Sequence, residues 1–195
     1  MAVTYGFFDS INGDRKYSAD EFGQIFEGII SDGVMANSRN GLEIKPYTNG
    51  SKIIVSSGKA WFNNHYIVND TDYTIDLVNP VDKIPSGSTI PAAVIIATIY
   101  ILIDTRNTDG GRSCSIKIAY GDVGSEVESQ HLDPTQPIIS TETGQYVYPL
   151  ADVLYNQYEY TDSQPLEPGS FTDRRAFSTL LLETEEVSQA LSQSY

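Results

Sequence analysis

The chain has 195 residues, 40% of them hydrophobic, with 13 Tyr, 7 Phe and one Trp. That suits one compact domain with enough apolar material for a core, and excludes wholesale disorder or a second large catalytic domain. Twenty-six acidic against twelve basic side chains give a net charge of −14, which repels polyanions and argues against nucleic acid as a partner.

The charge is uneven. Residues 1–120 hold 13 acids and 10 bases, whereas residues 121–195 hold 13 acids with only Arg174 and Arg175 as bases. The opening Met1-Ala2-Val3-Thr4-Tyr5 shows no basic region followed by an apolar stretch, so no secretory signal is expected. The first predicted element is an amphipathic helix near residues 18–31, because Phe22, Ile25, Phe26, Ile29 and Ile30 recur at three-and-four spacing on one face. Ser18 followed by Glu21 fits a capping box, and Gly33 suits a left-handed C-terminal turn. Two readings stay open: the helix packs on its own domain, or it docks on a neighbouring subunit.

From residue 42 the period changes to two. Leu42–Ile44, Ile53–Val55, Lys59–Phe62, Tyr66–Val68 and Tyr73–Leu77 read as strands separated by turn residues. Asn63-Asn64 fits a two-residue hairpin turn, since Asn tolerates positive φ, and this places Trp61 near Tyr66. Asp82–Pro91 reads as a polar connection, and Ala92–Asp104 as a long Ile-rich strand buried on both faces. The apolar run around it, Ile90–Ile103, contains Pro91 and falls short of the ~20 residues of a membrane-spanning helix, so no membrane insertion is expected.

Residues 113–120 alternate again, making a long hairpin with the preceding strand around a Thr105–Arg112 loop. A polar loop spans Gly121–Thr135, and strand character resumes over Tyr146–Tyr155. The C-terminal stretch from Phe177 to Tyr195 reads as a second helix, with Phe177, Leu181, Thr184, Val187 and Leu191 close to a heptad pattern. It either folds back or bundles with copies of itself. The expected fold is mainly β, an antiparallel β-sandwich over residues 41–176. An N-terminal arm and docking helix occupy 1–40, and a C-terminal helical tail occupies 177–195.

Little in the sequence points to catalysis. His65 and His131 are the two histidines, too few for a multi-His metal site or a well-supplied triad. Cys114, the single cysteine, cannot form an internal disulfide and sits in an alternating strand, where a buried inert thiol is expected. Asn107–Gly110 partly matches a calcium loop, but Thr105 stands where an acidic first ligand belongs. Asn69–Asp72 is read as ordinary turn chemistry. Tyr155, Tyr158 and Tyr160 cluster; Tyr offers large amphipathic contact area at low entropic cost, and it also serves as a strand former that packs its ring and leaves its hydroxyl wet, the reading favoured for each one.

The order of segments carries more. Tyr5-Gly6-Phe7-Phe8-Asp9-Ser10-Ile11-Asn12-Gly13-Asp14-Arg15-Lys16-Tyr17, then Phe26–Val34 and Ser57–Asn63, resemble the opening of a family of bacteriophage tail and baseplate proteins. Ile101–Asp104, Ile116–Gly121, Tyr148–Val153 and Phe171–Arg175 resemble the same family in the same order, so the likeness covers roughly residues 4–177. Members are similar to the attachment portions of tail fibres, receptor-binding proteins and baseplate components, in phages and in phage-derived contractile particles.

The resemblance implies a virion structural part with no turnover; no cofactor is expected, no set of metal-ligating residues stands out, and assembly is expected in the bacterial cytoplasm. Its partners would be other tail or baseplate proteins and its own copies in three-fold or six-fold symmetry. In this reading Phe7, Phe8, Phe22 and Phe26 belong to an N-terminal docking unit, and Phe177, Leu181, Val187 and Leu191 to a self-association seam. The alternatives are a module binding host-surface glycans through exposed Tyr and Asp side chains, and a glycan-cleaving enzyme, which would need two carboxylates converging in a cleft.

Overall fold

Two twelve-residue strands, β7 (Ala93–Asp104) and β10 (Gln145–Asn156), run antiparallel at the centre of the fold. The structure is a computed structural model that describes residues 19–35, 41–106, 112–128 and 131–180. Phe7, Phe8, Leu181, Val187, Leu191, the Ser18 cap, the Asn107–Gly110 loop and the side chain of Phe22 lie outside the described residues.

The remaining elements in chain order are α1 (Ala19–Glu27), β1 (Gly33–Met35), β2 (Ile44–Pro46), β3 (Lys52–Val55), β4 (Gly58–Phe62), β5 (His65–Asn69) and β6 (Tyr73–Asp76). After β7 come β8 (Ser113–Tyr120) and β9 (Gly124–Ser125); after β10 come α2 (Gln157–Thr161), β11 (Phe171–Asp173) and β12 (Phe177–Ser178). The fold is mainly β and every sheet contains antiparallel pairs.

The strands form three sheets. One has the order β12-β1-β4-β5, a second β2-β3-β6, and the third β11-β10-β7-β8 with β9 also on β7. Asn63 and Asn64 take φ of 47° and 60°, so the expected tight turn forms and sets Trp61 directly opposite Tyr66. Strand β7 is largely buried along its length, as its Ile-rich run predicts, and pairs with β8 from Asp104–Ser113 to Ala97–Tyr120. The β7–β10 ladder shifts register between Pro149 and Ala151, where proline offers no N–H.

One hydrophobic core draws on all three sheets: Val34 and Phe62 from the first, Ile53 and Val55 from the second, Ile99 and Val153 from the third. At ~25 cal/mol per Å2 of buried apolar surface, such side chains stabilise the fold by about 1.5–3 kcal/mol each. Tyr155 joins them, fully buried, and its hydroxyl donates to the Val78 carbonyl at 2.6 Å. Burial and the nearby phenols push its pKa up.

Four local expectations are corrected. The helix stops at Glu27, because Ile29 N–H and Ile30 N–H both close on the Phe26 carbonyl and Ile30 then forms a β-bridge to Leu180. Gly33 does not cap it; it opens β1 at φ 154°, where a Cβ would meet Ser178 N at 2.3 Å. Phe177 begins no helix, since with Ser178 it forms β12, parallel to β1. Cys114 is exposed rather than buried: it lies at the start of β8, whereas Ile116 and Ile118 further along the strand pack against the core.

Candidate functional site: the seam joining the two ends of the fold

Near the start and the end of the described chain, two segments meet at one place. Gly33–Met35 pairs with β4 on one side and with Phe177–Ser178 on the other. The contact extends backwards: Ser31 N–H donates to the Thr179 carbonyl at 3.0 Å, Thr179 N–H donates to Ser31 Oγ at 2.9 Å, and Ile30 bridges Leu180. The chain therefore enters this sheet and leaves it along the same line.

Gly33 makes the close approach possible. A side chain there would run into the backbone of Phe177 and Ser178. Ser178 is buried and its hydroxyl donates to the Val34 carbonyl at 3.3 Å.

Helix α1 rests on the same sheet. Phe26 packs edge-on against Trp61, with ring centroids 5.5 Å apart and planes at 66°; such a pair contributes about 0.5–1.5 kcal/mol beyond area burial. Gly23 is buried against Asn64, at the tip of the β4–β5 turn. Trp61 is 8% exposed beneath the helix, while Phe26 keeps 39% of its surface open. Of the two readings of the helix, the described contacts are made on its own domain.

Asp32 locks the entry to the seam. Its Oδ1 accepts the Asn63 N–H at 3.0 Å and its Oδ2 accepts the Tyr148 hydroxyl at 3.3 Å. Tyr148 stacks on Phe62 at 4.0 Å, which connects the seam's sheet to β10. Burial, and then the Asp32 charge, push the Tyr148 pKa up.

The exit is held by a strap running from β11 to β12, and here the two arginines of the acidic second half find their use. Arg174 reaches Asp152 at 3.0 Å, a buried carboxylate that also accepts the Thr98 hydroxyl at 2.6 Å. Arg175 is nearly enclosed; it grips both oxygens of Asp173, donates to the Gly41 carbonyl at 2.8 Å and lies 5.2 Å from the Phe177 ring centroid. Its hydrogen bonds hold the Asp173 carboxyl below its usual range. The strap thus carries the chain from the edge of one sheet to the edge of another.

The remaining chemistry-bearing residues are dispersed. His65 and His131 are both exposed, the latter paired with Asp133 at 2.9 Å. Burial of part of the Cys114 side chain pushes its thiol pKa up, which disfavours the thiolate. Asp72 accepts the Ser57 N–H at 2.6 Å, and among the described residues no group of three or more His, Cys, Asp or Glu is placed to hold a metal. Tyr155 is in the core, whereas Tyr158 is exposed on α2, so the tyrosine cluster does not present one surface. A groove of about 260 Å3 opens between β2 and β11; its rim charges already pair, Glu43 with Lys45 and Asp173 with Arg175. No described helix is long and apolar enough to cross a membrane.

Of the residues expected to make contacts, Phe26 and Phe177 fall beside the seam, each with a partner in its own chain and each still exposed. The sequence reading missed Gly33, Asp32, Asp152 and the Arg174–Arg175 clasp as organisers of this region. A signal for the clasp was present: two adjacent bases in a segment otherwise devoid of them. No family model, curated protein or solved structure matches the chain.

Proposed function

We propose that this protein is a structural part of a phage tail or baseplate, or of a phage-like contractile particle, joining tail and fibre components by protein–protein contacts. The single observation that carries the reading beyond the segment resemblance is the seam. The N- and C-terminal parts of the described chain are tied to one sheet at Ile30–Leu180, with exposed apolar side chains at Phe26, Phe177 and Leu180 around the tie. A subunit so built holds both ends of its described chain on one fixed base, as a connector must.

The segments behind the resemblance serve this base in the fold. Phe26–Val34 supplies the end of α1 and the entry strand, Ser57–Asn63 supplies β4 with Trp61, and Phe171–Arg175 supplies the strap. In our reading the three sheets close as an antiparallel sandwich around their shared core, a rigid body suited to symmetric assembly. The partners are other tail or baseplate proteins and further copies in three-fold or six-fold array, and the location is the virion.

Mass spectrometry of tail or contractile particles purified by density gradient from cells that express this chain's gene in its native setting tests the proposal. The chain is expected in stoichiometric amount with other tail or baseplate proteins. Its absence from such particles would contradict the reading.

A further inference from the structure

Strand β5 carries an exposed apolar strip that no described element covers. In the β4–β5 hairpin Lys59 lies opposite Val68 and Trp61 opposite Tyr66. Cross-strand partners project from one face, so these four side chains share it. Helix α1 occupies the Trp61 part through Phe26. Beyond it Tyr66 and Val68 remain 53% and 50% exposed, with Lys59 exposed beside them.

The strip and the C-terminal exit lie at opposite edges of one sheet. The order β12-β1-β4-β5 puts the exit past Leu180 next to β12 and the strip on β5, about three strand spacings, or ~14 Å, away. Helix α1 stands over β4 between them. The strip itself lies at an outer edge of the sheet, open to a second copy.

The chemistry of that segment matches the strip. Residues 181–195 carry apolar Leu181, Leu182, Val187 and Leu191 together with Glu183, Glu185 and Glu186, and contain no base. The strip offers Tyr66 and Val68 to the apolar side chains and Lys59 to the glutamates.

We infer that residues 181–191 of one copy dock on the Lys59–Tyr66–Val68 strip of the next. This rests on the connector reading above and names the acceptor for its self-association seam. Donor and acceptor are different surfaces, so the contact is head-to-tail, and it builds a ring where the rotation it imposes closes.

A mixing experiment on the full chain tests it. Leu181→Asp/Val187→Asp disables the donor and leaves the acceptor; Tyr66→Asp/Val68→Asp disables the acceptor and leaves the donor. Each variant alone is expected at the 21.5 kDa monomer mass by light scattering, and their equimolar mixture at twice that mass, because one intact donor and one intact acceptor remain. Circular dichroism and emission from Trp61, the single tryptophan, establish that each variant is folded. For folded variants, a mixture that stays monomeric overturns the inference. So does a Tyr66→Asp/Val68→Asp chain that keeps the parental oligomer mass, an outcome that leaves the connector reading standing on a different contact. A parental chain that is itself monomeric overturns the docking, while its presence in purified particles would still decide the connector reading separately.

Discussion

Ile30 and Leu180 face each other across an antiparallel bridge, fastening together segments from near the two ends of the chain. Around that bridge are three hydrogen bonds between Ser31 and Thr179 and a two-residue parallel pairing of β1 with β12. The seam is short, and its persistence depends on a few identifiable contacts.

Gly33 is one of them. Gly33→Ala places a methyl group against the Phe177–Ser178 backbone in a conformation that L side chains rarely adopt, and is expected to lower stability by about 2–3 kcal/mol. Gly28→Ala meets nothing within 4 Å and should change stability by less than ~0.5 kcal/mol. Urea denaturation of the two variants checks the contrast; equal midpoints would contradict it.

Arg175→Ala removes the grip on Asp173 and Gly41 and the cation over Phe177. The expected loss is about 2 kcal/mol, with faster hydrogen exchange in β12 than in β7. Exchange in β12 that matches the parent would show that the strap needs no clasp.

Acid should loosen the strap and the β7 end together. Hydrogen bonds from Arg106 and then Gln145 hold the Asp104 carboxyl well below its usual range, and Arg175 lowers that of Asp173. A depressed folded pKa favours the folded state while the group is ionised. This contribution is complete above the unfolded carboxylate value of about 4 and is lost as pH falls through the folded values. Asp104→Asn/Asp173→Asn should therefore be less stable at pH 7 and show a shallower loss below about pH 4. Parallel stability curves for parent and variant would contradict this.

Trp61 reports on α1 directly. Phe26→Ala uncovers the indole, so its emission should shift to longer wavelength and stability should fall by about 1 kcal/mol. Unchanged emission would mean that the helix does not rest on Trp61 in solution.

The sequence made the local features of the fold readable. The Ile-rich run of β7, the Asn63–Asn64 turn and the β7–β8 hairpin all follow from period, turn chemistry and short-range register. Contacts between distant segments were not readable. Phe177 belongs to a heptad-like pattern but pairs as strand because the β1 edge, at the other end of the chain, supplies backbone partners. Gly33 looks like a helix cap until Ser178 is placed against it. Cys114 alternates like a core position, yet it sits at the exposed start of β8, short of the part where Ile116 and Ile118 meet the core. For the candidate site, aromatic periodicity pointed to Phe26, while the Asp32 and Arg175 tethers depend on partners that no local pattern names.

The central claim is that this chain is a fixed connector in a tail or baseplate. A cryo-electron microscopy map of the assembled particle tests it most directly. The account predicts density for this sheet body in three-fold or six-fold copies at the tail end, with residues on both sides of the Ile30–Leu180 tie running into neighbouring subunits. A fully assembled tail and baseplate with no density for the chain would contradict it.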